Sequence, residues 1–208
     1  MDGLSAYAKA IIQLYTGENK YGYVYGAQGE IISPQVLEDL KRKYGSAAPN
    51  GAKYYEEERV KKWIGHKAAD CSGLVMVIFQ ALNIYKNDMT ANDLMVNTIE
   101  IEKDDLSEGD LAFKTNVRGQ AVHVGIYIGG GVVVHARGTD YGVVATTDNE
   151  FKWSKFGRLV IPIPERHWAQ PYYDYLQEND FNLSEKRFND PITRGEFFAA
   201  TAKGLSRK

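Results

Sequence analysis

The stretch Ala121-Val122-His123-Val124-Gly125-Ile126-Tyr127-Ile128-Gly129-Gly130-Gly131-Val132-Val133-Val134-His135-Ala136-Arg137 reads as two strands joined by a glycine turn. Along the first strand the even positions Val122, Val124, Ile126 and Ile128 are aliphatic and are expected to face a core. His123 then falls on the opposite face with the small residues Ala121 and Gly125, where another group can pack closely. If the turn is the three glycines, Ile128 pairs with Val132, residue 135 lies opposite 125, and His135 sits diagonal to His123 on one face. A two-residue turn sends His135 to the other face. The sequence leaves both open.

Around this hairpin the chain divides into a helix-rich half and a strand-rich half, which predicts an α+β fold. Apolar spacing predicts a helix over 3–16, the charged stretch 54–64 ended by Gly65 reads as helical, and a Ser33–Pro34 start predicts another helix after residue 33. Cys71–Leu82 is apolar nearly all round, the pattern of a buried helix. Further strands are expected at 110–114, 142–146 and 158–163, and 46–51 reads as a loop. Beyond Pro164 two short helical patterns, 168–177 and 193–203, are joined by a polar loop.

Composition narrows the function. The 208 residues hold 44 % hydrophobic and 25 % charged residues, with 25 Lys plus Arg against 27 Asp plus Glu. A formal net charge of −2 offers no basic excess for a phosphate backbone, so no nucleic-acid partner is expected. The longest apolar stretch, Leu74 to Leu82 interrupted by Gln80, is too short for a membrane span. Met1 to Tyr15 lacks a basic region leading into an apolar run, so no secretory signal is expected. One cysteine excludes an intrachain disulfide and a multi-thiolate zinc site; no metal or organic cofactor is expected.

That cysteine has an unusual setting. Asp70-Cys71-Ser72-Gly73 stands where a polar loop enters the apolar helix, which puts Cys71 in the first turn. There the positive end of the dipole is expected to lower the thiol pKa, and the unpaired N–H groups can hold an oxyanion. Gly73 is expected to leave room for substrate near the sulfur. Of four histidines, His66 and His167 read as surface residues, whereas His123 and His135 suit a base and its orienting partner.

The segments Tyr23-Val24-Tyr25-Gly26, Asp70-Cys71-Ser72-Gly73-Leu74-Val75, Glu108-Gly109-Asp110-Leu111, His123-Val124-Gly125-Ile126-Tyr127-Ile128-Gly129 and His135-Ala136 follow one another in an order that resembles the NlpC-type family of bacterial cell-wall cysteine peptidases. The resemblance covers roughly residues 5–163 and implies a papain-like α+β domain over 1–164. It implies Cys71 as nucleophile, His123 as general base and His135 as polar orienter. It also implies Tyr23 near the thiolate, with Asp70 and Ser72 recognising the amine and backbone of a peptidoglycan stem peptide. The implied reaction is cleavage of γ-D-glutamyl–diamino acid bonds; an N-acetylmuramoyl-L-alanine amidase and a non-catalytic wall-binding protein are the rival readings. Peptidoglycan or muropeptides are the implied partner, met in the wall after lysis or non-classical export, or in the cytoplasm. An insertion over about 28–66, with Tyr54, Tyr55, Lys61, Lys62 and Trp63, departs from the family pattern and is expected to form a lid or wall of the cleft. Tyr25 is expected to pack in the core.

The tail, 165–208, resembles one S-layer homology repeat through His167-Trp168-Ala169, Tyr172, Leu176, Phe188 and Ile192-Thr193-Arg194-Gly195-Glu196-Phe197. This implies a secondary cell-wall polymer as a further partner, with Arg194 on its anionic groups. A helical cap on the catalytic domain is the alternative.

Overall fold

The computed structural model describes residues 2–159 apart from 83, 85, 86 and 148. Five helices, α1 (Asp2–Leu14), α2 (Pro34–Tyr44), α3 (Glu58–Lys61), α4 (Cys71–Ala81) and α5 (Ala91–Val96), accompany nine strands. These are β1 (Gln28–Ile31), β2 (Pro49–Ala52), β3 (Lys67–Ala69), β4 (Thr98–Ile101), β5 (Leu111–Thr115), β6 (Ala121–Tyr127), β7 (Val132–Gly138), β8 (Gly142–Thr147) and β9 (Lys155–Leu159). Six strands form one sheet in the order β4-β9-β5-β6-β7-β8, every neighbouring pair antiparallel, and β1 pairs with β3. The architecture is the expected α+β one, a buried helix on an antiparallel sheet.

α4 begins where Asp70 accepts a hydrogen bond from the Gly73 N–H at 2.7 Å. Its Leu74, Val75, Met76, Ile78 and Phe79 are buried among Val124, Ile126 and Val134 of the sheet and Leu4, Ala8 and Ile11 of α1. α2 starts at Ser33, whose hydroxyl accepts from the Val36 N–H, with Pro34 at its first position as read from the sequence.

The insertion holds a hydrophobic core of its own. Ile32, Leu37, Leu40, Ala48, Tyr54, Tyr55, Val60 and Trp63 pack with Val24, Ala27 and Ala68. The helix expected over 54–64 is instead a 3-10 turn at Lys53–Glu56 followed by the single turn of α3, because Tyr54 and Tyr55 must turn inward together. Residues 49–52, read as loop, form β2.

The glycine turn has three residues. The Ile128 N–H donates to the Val132 carbonyl at 2.9 Å, Ile126 lies opposite Val134, and Gly129, Gly130 and Gly131 all have positive φ. The alternation of β6 is corrected at one point. Lys114 faces His123 but Thr115 faces Ala121, so Val122 is an extra, bulged residue. Val122 is therefore 55 % exposed instead of buried, and Ala121 joins the core. The last strand ends the described residues, and it starts three residues earlier than expected; its outer neighbour β4 was not read from the sequence. The C-terminal module, with His167 and Arg194, lies outside the described residues. No helix among the described residues is long and apolar enough to cross a membrane.

Candidate active site

Tyr23, Tyr25, Asp70, Cys71 and Ser72 line one cavity of about 250 Å³, together with Tyr44, Met89 and Val122. Five parts of the chain thus meet there: the segment before β1, the end of α2, the start of α4, the segment leading into α5, and the bulge of β6. Tyr25, expected in the core, packs against the insertion's apolar cluster and also forms part of the cavity wall.

Asp70 is the joint of the site. Its Oδ1 accepts from the Gly73 N–H at 2.7 Å and the Ser72 hydroxyl at 3.1 Å, and its Oδ2 accepts from the Gly26 N–H at 2.8 Å. Burial raises the Asp70 carboxyl above its ordinary value, against these hydrogen bonds, which lower it. Asp70 and Ser72 are both on the cavity, but these bonds are spent on fixing the chain around Cys71. The room at Gly73 is also used differently from the expectation. A side chain there would meet the Ala27 carbonyl, so the glycine admits backbone of this chain instead of substrate.

The first-turn position does not lower the thiol pKa. Burial pushes Cys71 up to about 12, and the neighbouring Asp70 carboxylate adds to the rise. Backbone hydrogen bonding from Val124, Ser72 and Cys71 pulls the other way without prevailing, which also puts the main chain of β6 beside the sulfur. The loss of water around a thiolate outweighs a half-charge of helix dipole. The same burial raises the Tyr23 hydroxyl well above its ordinary value, with Cys71 and Asp70 contributing, so Tyr23 remains a proton donor at neutral pH.

His123 and His135 are brought together as the three-glycine turn requires. His123 Nε2 lies 2.8 Å from His135 Nδ1, and His135 Nε2 lies 3.0 Å from the Thr146 hydroxyl. Burial lowers His123 to about 4, with Lys114 adding to the effect. Burial lowers His135 to about 3, helped by His123 and Arg137. At neutral pH both rings and the thiol are therefore uncharged. Phe151 and Trp153 flank the pair: Trp153 stacks on His123 at 5.7 Å and 19°, and Phe151 lies 4.6 Å from His135.

Thr146, Phe151, Trp153 and Tyr44 were not singled out from the sequence. For Thr146 the only signal is its place on the His135 face of β8, readable once the β7–β8 register is known. His66, whose Nδ1 lies 3.2 Å from the Lys20 carbonyl, stands apart with Trp63, as its surface reading implied. Among the described residues no group of three or more His, Cys, Asp or Glu is arranged to hold a metal ion.

Residues 53–161, just over half of the chain, match the model of the NlpC/P60 family. The chain belongs to that family. The match takes in Asp70, Cys71, Ser72, His123 and His135, whereas Tyr23 lies before it. Over 89 residues the chain is 35 % identical to murein DD-endopeptidase MepH of Escherichia coli K12, which covers 41 % of this chain and 33 % of the relative. Over 88 residues it is 34 % identical to a gamma-D-glutamyl-L-lysine dipeptidyl-peptidase of Bacillus subtilis 168, covering 41 % of this chain and 29 % of that one. The chain thus spans about a third of the length of the curated relatives it matches. Two solved structures are also similar. The P60 domain of an antigen from M. avium subspecies paratuberculosis has a TM-score of 0.47 at 20 % identity, covering 76 % of this chain and 95 % of that one. NlpC2 from Trichomonas vaginalis has a TM-score of 0.48 at 20 % identity, covering 76 % and 46 %.

Proposed function

We propose that this NlpC/P60 chain is a cysteine peptidase that hydrolyses peptide bonds in peptidoglycan stem peptides, of the γ-D-glutamyl–diamino acid type, with Cys71 as nucleophile, His123 as base and His135 as its orienter. The observation that carries the reading is the hydrogen bond between His123 on β6 and His135 on β7, next to the Val124 backbone that reaches the Cys71 thiol. His123 spends Nε2 on His135, which leaves Nδ1 for the thiol.

With the thiol at about 12 and His123 at about 4, the resting pair is neutral, so proton transfer accompanies attack. The Cys71 proton passes to His123 Nδ1 as sulfur bonds to the carbonyl carbon. The oxyanion is held by N–H groups at the start of α4, with the protonated Tyr23 hydroxyl as a further donor. The amine leaves with the proton from His123 and an acyl-thioester remains. Water then gives a proton to His123, attacks the thioester and releases the acid, and the proton returns to sulfur.

Digestion of purified peptidoglycans of different crosslink chemistry, with product masses, tests this. Products ending in γ-D-glutamate, absent with Cys71→Ala, are expected. Release of lactyl glycan would instead assign an amidase, and turnover by Cys71→Ala would remove the thiol mechanism. We further propose that 1–164 is the peptidase domain and 165–208 a wall-polymer module using Arg194, supported by the sequence resemblance. Truncation after 164 should then weaken wall retention more than turnover of soluble muropeptides. Equal losses would make the tail structural.

A further inference from the structure

We propose that Thr146 is a positioning residue that supplies the acceptor needed for the proton order in which His123 presents a bare nitrogen to the Cys71 thiol. The inference rests on the catalytic reading above and adds a residue to it.

The three side chains form a line across three neighbouring strands. His135 on β7 lies opposite Val144 of β8, and Thr146 lies two residues further on the same face, diagonal to His135 as His135 is to His123. The links are 2.8 Å and 3.0 Å, and His135 and Thr146 are 0 % and 3 % exposed.

A neutral imidazole carries one proton on two nitrogens, so this chain has two senses. In the first, His123 Nδ1 is bare, His123 Nε2–H donates to His135 Nδ1, and His135 Nε2–H donates to the Thr146 oxygen. In the second, every donor is reversed and His123 turns an N–H toward the thiol, where it can accept nothing. Both rings are depressed well below neutrality, so neutral tautomers are what must be sorted. The Thr146 hydroxyl can close either sense, and it is the acceptor that the first sense requires. Without it the first sense leaves a buried ring N–H without a partner, whereas the second leaves only a bare nitrogen. An orphaned buried N–H is the more costly of the two. Phe151 and Trp153 close around both rings, with centroids 4.6–5.7 Å away, leaving water poorly placed to stand in for the hydroxyl. The first sense is also the one that survives the reaction, because a proton arriving at His123 Nδ1 leaves every other hydrogen where it was.

The test compares Thr146→Val, which keeps the shape and removes the acceptor, with Thr146→Ser, which keeps the hydroxyl, in the full chain. Thr146→Val is expected to lower kcat about tenfold with KM little changed, and Thr146→Ser to retain most of kcat. Nitrogen-15 spectra of the imidazoles give a readout independent of turnover. The wild type is expected to show both rings protonated at Nε2, and Thr146→Val to show Nδ1-protonated His123. Wild-type kcat in Thr146→Val, or Nδ1-protonated rings in the wild type, would overturn the proposal. If Thr146→Val does not fold, the wild-type spectrum and Thr146→Ser still decide it. Activity in His123→Ala would overturn the catalytic reading instead, whereas an inactive His123→Ala beside an unaffected Thr146→Val would reject Thr146 alone.

Discussion

The Tyr55 hydroxyl donates to the main-chain carbonyl of Tyr25 at 3.0 Å, joining the insertion to the wall of the Cys71 cavity. Next to it the Tyr54 hydroxyl accepts from the Tyr25 N–H at 3.1 Å and lies 2.8 Å from the Thr139 hydroxyl. Both polar groups of the Tyr25 backbone are thus met by residues of the insertion. The segment from 28 to 66 braces the cleft from behind as well as walling it.

Tyr55→Phe should therefore loosen the wall without emptying the core, since the ring stays and one hydrogen bond goes. The expected cost is about 1 kcal/mol of stability. A rise in KM larger than the fall in kcat, measured on a soluble muropeptide, would mark the effect as one on the wall. Unchanged kinetics with unchanged melting would show that the brace is idle.

The ion pair between buried Asp110 and half-buried Arg158 gives a separate stability prediction. Asp110 is 0 % exposed and takes both a 2.9 Å bond from Arg158 Nε and a 2.7 Å bond from Arg158 Nη2, with the Ser107 N–H at 2.7 Å. Arg158→Leu would leave that carboxylate without its cation. A loss of about 3 kcal/mol is expected, or a melting point lower by roughly 6–12 °C. Thiol alkylation in the surviving folded protein should be unchanged. A melting point within a degree of wild type would contradict the pair's role.

Acid should weaken both the fold and the chemistry. His123 falls from 6.5 to about 4 on folding, so the unfolded chain binds the proton first. Stability from this group is complete above about pH 6.5 and is lost as pH falls toward 4, by about 3 kcal/mol. Cys71 runs the opposite way. Its rise to about 12 removes stability as pH climbs past the ordinary thiol range. Iodoacetamide should accordingly label native Cys71 more slowly than a free thiol at pH 7 and gain rate well above pH 9. Labelling as fast as a low-pKa thiol at pH 7 would show that the thiolate is better solvated than its burial implies.

His135 is tested through its register. His135→Ala should lower kcat strongly and leave residual turnover, while His123→Ala should leave almost none. His135→Asn should recover part of the loss, because an amide oxygen can accept from His123 Nε2. Deleting one of Gly129, Gly130 or Gly131 changes the turn from three residues to two and should hurt as much as losing His135. Full activity in His135→Ala would reduce it to an ordinary strand residue.

The sequence carried the features set by local geometry. Three consecutive glycines, flanked by alternating residues, marked a turn and left two placements for His135; the three-residue turn of the structure selects the one that shares a face with His123. Ser33-Pro34 announced its helix by capping, whereas the cap that Asp70 provides was seen only in the structure. What escaped depends on neighbours far along the chain. The Val122 bulge appears only when β6 is laid against Lys114 and Thr115. Thr146 appears only when β8 is laid against β7, across a second irregularity between Ala136 and Gly138. β4 is a four-residue edge strand with Ile99 61 % exposed, which leaves no buried face to read. The thiol pKa was misjudged for a related reason. The dipole of α4 is legible in a sequence, but the desolvation that defeats it is not.

The carbonyl of Ala27 occupies the place where a side chain at 73 would stand, and it also accepts the Asp70 N–H at 2.9 Å. The start of α4 consequently has nowhere to retreat when an acyl group presses on the sulfur. With Cys71 as the nucleophile proposed above, the sulfur is a fixed post and the approach must be made by the substrate, so the entropy of alignment would be spent in folding and not in each turnover. Retargeting this chain to other acyl groups would succeed by recontouring the facing wall at Tyr25, Tyr44 and Val122. Even alanine at position 73 would push Cys71 out of line.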